Sequence, residues 1–395
     1  MSVTRPQGFR AAGVAGGLKA SGSRDLALVV NDGPLQVAAA VTTSNRVCAA
    51  PVQWTRQVVA DGCASAVVLN SGGANACTGS QGMRDTVATA QHTASALTAA
   101  QESQVIADKV IVCSTGLIGV TLPMDKLLPA VTQAVAALAS DLAAGDQAAG
   151  AIMTTDTHPK QAVSVQEGWS VGGMAKGAGM LAPGLATMLS VITTDAVVDA
   201  ATAQQLLAQA TSLTFDRIDS DGCMSTNDTV VLMASGASGV SPSVEDLSQA
   251  VTQVCGDLAR QLIADAEGAS HDIVITVRGA STQQAAVAVA RAVSRSNLLK
   301  TAIYGNDPNW GRVLSAVGTV PEDLAPYDPD MVDVAINGVQ VCRAGSVGES
   351  RDQVALAASR EVTIDINLHA GSQQASLWTN DLTTAYVYEN SAYST

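Results

Sequence analysis

Short runs of β-branched and aliphatic residues alternate with Ala-rich stretches of helical period along most of this chain. That alternation restricts the fold to layers of helix packed on sheet. "LALVV" and "QVAAAV" read as strands flanking "NDGPL", a hairpin-type turn signal, and "SAVVLNSGGANA" runs a strand into a Gly-rich loop. "MRDTVATAQHTASALTAAQ" and "MDKLLPAVTQAVAALASDLAA" space their apolar residues as helices, with the strand "DKVIVCSTG" between them. The strands "AVSVQ" and "TMLSVITT" follow, then the helices "TAQQLLAQATSL" and "SVEDLSQAVTQVCGDLARQLIADAEG" around the strand "DTVVLMASG". Beyond Gly268, "DIVITVRGA", the helix "TQQAAVAVARAVSRS" and the strands "MVDVAINGVQVCR", "REVTIDINL" and "TTAYVYE" read as a smaller module. The predicted class is α+β, with a domain over residues 1–279, a soft boundary near Gly279 and a smaller C-terminal α/β domain over 280–395.

Aromatic residues make up 3% of the chain and hydrophobic residues 47%, so the core has to be built from Ala, Val, Leu, Ile and Met. The formal net charge of −14 comes without any cluster of Lys and Arg, which argues against a nucleic-acid partner. The N-terminal residues lack the apolar segment of a secretory signal, and no apolar run approaches the roughly 20 residues needed to span a bilayer. A soluble, cytoplasmic protein with no membrane role is therefore expected. Seven scattered cysteines without a C-x-x-C pair point to reduced thiols rather than disulfides or a zinc site.

The familiar catalytic signatures are missing. "NSGGANACTG" and "KGAGMLAPG" satisfy neither the P-loop nor the dinucleotide G-x-G-x-x-G pattern. "DRIDSDGCMSTND" has the acidity of a calcium loop, but its glycine comes too early and the closing Glu is absent, so a tight turn is expected. His92, His158, His271 and His369 form no H-x-x-x-H pair and no Ser-His-Asp context.

What remains is Thr187, placed in "KGAGMLAPGLATMLSVITTDA" between a Gly/Pro-rich turn and an apolar strand. A hydroxyl becomes nucleophilic only when a base removes its proton, and a residue's own α-amine can be that base. Its reference pKa of about 7.7–8.0 suits the task. For Thr187 this requires cleavage of the Ala186–Thr187 bond, which the Oγ can initiate by attacking the preceding carbonyl through a five-membered ring. The bare residues leave two readings open: such a nucleophile, or a strand-leading threonine bonded to backbone.

The string "MAKGAGMLAPGLATML" resembles the glutamate N-acetyltransferase family, also called ornithine acetyltransferases. So do "VCSTGLIG", "AIMTTDT", "DAEGA", "GNDPNWGRV", the terminal "ENSAYST" and the early "GFRAAGVAGGLKASG" and "NSGGANACTG", spread along the whole chain. The resemblance implies a layered α/β sandwich of the self-processing N-terminal-nucleophile type, shared with certain aminopeptidases. It implies cleavage between Ala186 and Thr187 into chains 1–186 and 187–395, assembled as two of each. Thr187 becomes the nucleophile, Thr115 and Gly116 the oxyanion hole, and Thr154, Lys176, Thr187, Glu267, Asn390 and Thr395 the substrate contacts. In this reading Lys176 meets the substrate α-carboxylate and Glu267 the ornithine ammonium. The implied reaction is ping-pong acetyl transfer from N2-acetyl-L-ornithine to L-glutamate, in the cyclic route to arginine. It uses no metal and no cofactor, with acetyl-CoA an open second donor because members of the family differ in using it. A self-processing aminopeptidase or amidase, handing the acyl group to water, is the alternative.

Overall fold

The computed structural model describes residues 2–100, 104–182 and 188–392. Along the chain these form β1 (Phe9–Val14), β2 (Leu26–Asn31), β3 (Val37–Thr42), α1 (Ala50–Val58), β4 (Ala66–Ser71), α2 (Gly79–Ala100), β5 (Val110–Thr115), α3 (Met124–Ala136) and α4 (Leu142–Ala151). Next come β6 (Lys160–Val165), β7 (Ser170–Lys176), β8 (Leu189–Thr194), α5 (Ala200–Leu213), β9 (Thr229–Ala234) and α6 (Val244–Ala264). The chain continues with β10 (Asp272–Ala280), α7 (Gln283–Ser294), α8 (Asn297–Tyr304), α9 (Trp310–Val317), β11 (Asp333–Ile336), β12 (Val339–Arg343), β13 (Ser346–Val347), β14 (Glu361–Asn367), β15 (Gln373–Asn380) and α10 (Thr384–Ala392).

The strands build three sheets, ordered β1-β2-β4-β5, β3-β9-β8-β7-β6 and β13-β12-β11-β14-β10-β15. Side-chain alternation tells how the first two are layered. Leu189 and Val191 of β8, with Val231 and Met233 of β9, join a core shared with the four-stranded sheet and α2–α4. Ile192, Val230 and Leu232, of opposite parity, point into a second core under α5 and α6. The five-stranded sheet is thus buried on both faces, which is why its strands read as continuous apolar runs. The third sheet packs α7 through α9 on one side with its own core. The result is a layered α+β sandwich carrying a C-terminal α/β unit. Among the described residues no helix is long and apolar enough to cross a membrane.

Local readings differ from this in four places. β2 and β3 do not form a hairpin across "NDGPL": β2 pairs with β1 and β4, whereas β3 pairs with β9 in another sheet. β7, which sequence reading passes over, contains Gly172 and Gly173. A Cβ on Gly172 would lie 2.4 Å from the Ser2 carbonyl oxygen, so close backbone approach demands the glycine that hides the strand. "TTAYVYE" lies in a helix, α10, because the Thr383 side chain accepts from the Tyr386 N–H at 3.0 Å and caps it. Finally, β10 runs across Gly279, so the six-stranded sheet already begins at Asp272.

Candidate active site

The parallel strands β4 and β5 end side by side at Ser71 and Thr115. The Thr115 carbonyl accepts from the N–H groups of Gly72 and Gly73, both at 3.0 Å, which turns the chain sharply after the strand. Gly116 then sits at φ +131°, and a Cβ there would stand 2.6 Å from the Gly73 nitrogen. Only glycine fits, on conformational and on steric grounds. The preceding residue is equally fixed: Ser114 Oγ donates to Asn70 Oδ1 at 2.6 Å, and Asn227 Nδ2 donates to the Ser114 carbonyl at 2.9 Å. Among the described residues neither the Gly116 N–H nor the Thr115 hydroxyl hydrogen has an acceptor. Two free donors at one strand-to-turn junction are what a developing oxyanion requires.

Lys176 closes β7, opposite Leu189 at the start of β8. Its side chain is fully buried, and Nζ donates to Thr115 Oγ1 at 3.4 Å. Burial pulls its pKa below the ordinary lysine value; Asp156 counters this, Lys160 adds to it, and Asp228 and Glu267 oppose it. No carboxylate among the described residues lies within ion-pair distance of it. A buried ammonium without a direct partner is poised for an anionic ligand.

Sequence reasoning missed the frame that positions this lysine. Asp156 Oδ1 accepts from Lys160 Nζ and from the Gly177 N–H, each at 2.6 Å, while Oδ2 accepts from the Thr154 N–H at 2.9 Å. Lys160 Nζ also donates to Asp265 Oδ2 at 2.6 Å, with both partners buried. Burial by itself would raise the Asp156 carboxyl, but Lys176 and Lys160 outweigh it and hold the group at about 2. The only sequence signal was the i, i+4 spacing of Asp156 and Lys160 in "DTHPK".

Glu267 lies directly over Gly179, where an added Cβ would meet its Oε2 at 2.7 Å. Its Oε2 accepts from Asn390 Nδ2 at 3.0 Å. Asn390 reaches it because α10 crosses close to Gly268, whose φ of +63° and missing Cβ leave room for the Tyr386 nitrogen. Thr383 Oγ1 donates to the Gly268 carbonyl at 2.6 Å and pins the helix start.

These segments enclose a cavity of about 160 Å³ lined by Thr115, Gly116, Thr154, Lys176, Glu267 and Asn390. Every described residue of the expected site is therefore brought together. Asp221, Cys223 and Tyr386 line it as well; the first two belong to the acidic "DRIDSDGCMSTND", from which only a tight turn is expected. Ala186, Thr187 and Thr395 lie outside the described residues. Met188, next in the chain after Thr187, is held by its N–H on Asp228 Oδ1 at 3.0 Å. Asp228 is fully buried, which pushes its carboxyl well above the usual range. A larger cleft of about 680 Å³ lies along α5 and α6, and the one cation lining it, Arg260, is exposed. Among the described residues no cluster of three or more His, Cys, Asp or Glu is arranged to hold a metal.

Comparison with known proteins bears on the same chemistry. Residues 10–395 match the model of the ArgJ family. The chain is 60% identical over 395 residues to the arginine biosynthesis bifunctional protein ArgJ of Thermobifida fusca, covering all of both proteins. It is 54% identical over 393 residues to the protein of that name from Mycobacterium tuberculosis, covering 99% of this chain and 96% of the relative. Among solved structures, the ornithine acetyltransferase of Mycobacterium tuberculosis complexed with ornithine is 57% identical, with a TM-score of 0.46 over 48% of this chain and 96% of that one. The ArgJ protein of Bacillus halodurans is 37% identical, with a TM-score of 0.48 over 51% of this chain and 97% of that one.

Proposed function

This chain belongs to the ArgJ family and is an acyltransferase of arginine biosynthesis, and from that premise we propose that its acetyl group travels on Thr187. The donor is N2-acetyl-L-ornithine and the acceptor L-glutamate. The observation that carries this reading is the single cavity that joins two free hydrogen-bond donors, a buried unpaired ammonium and a carboxylate.

Self-cleavage at Ala186–Thr187 frees the Thr187 α-amine. That amine takes the proton from Oγ as Oγ attacks the acetyl carbonyl, and the oxyanion rests on the Thr115 hydroxyl and the Gly116 N–H. Collapse breaks the amide C–N bond, the α-ammonium returns its proton to the leaving nitrogen, and ornithine departs. Glutamate then attacks the acetyl ester through its own α-amine, with the same groups acting in reverse order. Lys176 pairs with the α-carboxylate common to both substrates, Glu267 and Asn390 contact the side chains, and Thr154 and Thr395 complete the pocket. One amide is exchanged for another of similar energy, so the chemistry calls for no cofactor or metal. The family relatives named as bifunctional favour a second use of the same ester, loaded from acetyl-CoA. Two copies each of chains 1–186 and 187–395, in the cytoplasm, complete the proposal.

The deciding experiment is detection of the acetyl-enzyme. Incubation with N-acetylornithine alone adds one acetyl mass to the fragment that begins at Thr187, and glutamate removes it. Acetate released as fast without glutamate as N-acetylglutamate forms with it would instead assign an amidase.

Lys176 makes the pH profile diagnostic. Its ammonium is needed to bind the α-carboxylate, and burial lowers its pKa, so its proton is lost before that of an ordinary lysine. The KM for N-acetylornithine therefore rises on the alkaline side, beginning below pH 10.5. Lys176→Met shows a high KM at every pH and keeps only the limb set by the substrate's own ammonium, which titrates near the ordinary lysine value of about 10.4. A wild-type KM that stays flat across this range would remove Lys176 from the carboxylate site.

A further inference from the structure

The two substrates share their α-carbon groups but end in opposite charges, an ammonium in acetylornithine and a carboxylate in glutamate. Resting on the acetyl-transfer reading above, we propose that the Tyr386 hydroxyl is the specificity group that admits the anionic side chain beside Glu267 and Asp221, once Lys176 is taken up by the α-carboxylate.

Glu267 and Asp221 both line the cavity, and both suit an ammonium. A carboxylate arriving there needs donors. Asn390 Nδ2 has already given its hydrogens to Glu267 Oε2 and the Tyr386 carbonyl, each at 3.0 Å. Asp221 is fixed as an acceptor, its oxygens taking the Met180 N–H at 2.7 Å and the Cys223 N–H at 3.0 Å. Tyr386 stands one helical turn before Asn390, so α10 presents both to the same cavity. Among the described residues its hydroxyl has no hydrogen-bond partner. Burial, then Asp221, Cys223 and Glu267, push its pKa up to about 12, so it keeps its proton. A phenol O–H can donate to a carboxylate and equally accept from an ammonium without changing its charge, which neither Glu267 nor Asp221 does.

A second cavity adjoins the same residues: Tyr386 and Asp221 also border a space of about 440 Å³ containing Lys300. Lys300 Nζ donates to the Ser220 carbonyl and to Thr379 Oγ1, but to no carboxylate, and its third hydrogen has no acceptor among the described residues.

Tyr386→Phe keeps the ring and removes only the hydroxyl. The KM for glutamate is expected to rise about tenfold or more, the loss typical of a hydrogen bond to a charged group. The KM for N-acetylornithine, whose ammonium retains two carboxylates, changes less than about twofold by the same reasoning. Both are read from the separate half-reactions, alongside the thermal midpoint as a folding control. Equal shifts in both KM values, or none in either, overturn the role of Tyr386. Wild-type protein that takes up no acetyl from N-acetylornithine overturns the transferase reading, and this inference with it.

Discussion

Thr187→Ala is expected to run as one chain on denaturing electrophoresis and to transfer no acetyl group, whereas the wild type is expected to run as two fragments, the second beginning Thr-Met-Leu-Ser. One oxygen serves both reactions. In the proposed scheme it attacks the Ala186 carbonyl of the precursor and then the acetyl carbonyl in the cut protein, so alanine removes both at once. Deleting a hydroxyl nucleophile that works with its base as a unit costs on the order of a million-fold in turnover. Thr187→Ser keeps the oxygen and the α-amine and is expected to cut and to turn over, more slowly. Intact-mass measurement of the three proteins checks the cut, and ornithine release checks the chemistry. An uncut wild-type chain with full activity would falsify the scheme.

Thr115→Ala is expected to lower kcat by roughly a hundred- to a thousand-fold, the usual cost of losing one oxyanion donor, with a smaller change in KM. Lys176 Nζ approaches Thr115 Oγ1 as a donor, because an ammonium can only donate, and this leaves the hydroxyl hydrogen for the cavity. Alanine deletes that hydrogen and leaves the strand end intact. Self-cleavage passes through a similar oxyanion and should slow as well, seen as precursor persisting after purification. Thr115→Ser restores the donor and should recover most of the rate. A normal kcat with a raised KM would move Thr115 from the oxyanion to substrate binding.

The parts of the site that could be read in the sequence are those held by short, chemically peculiar segments. "VCSTGLIG" supplies Thr115 and Gly116 through its resemblance to the family; the residues alone specify a strand entering a turn, and the positive φ and crowded backbone of Gly116 emerge only in the fold. Lys176 is the one charge in the Gly-rich "MAKGAGML", and it is buried. The groups that stayed hidden depend on partners distant in the chain. Lys160 looks like any solvent-facing lysine until Asp265, far along the sequence, is placed beside it. Tyr386 lay in a run with the alternating pattern of a strand, and only the Thr383 cap and the space over Gly268 decide for a helix that turns the ring inward. The "NDGPL" turn is real as a turn, yet a turn does not specify which sheet its second strand will enter.

The order of the five-stranded sheet has a consequence for the life history of the molecule. β3, β6 and β7 precede Thr187 and β8 and β9 follow it, so the two pieces interleave, with ladders crossing at β3–β9 and β7–β8. The precursor reaches this arrangement as one molecule searching its own conformations. After the cut, the same native state can be regained from denaturant only by two molecules finding each other, at a yield that falls with dilution. On the proposed cleavage, ripening would make the protein a one-way product: held together by its sheet, and remade efficiently only from fresh, uncut chain.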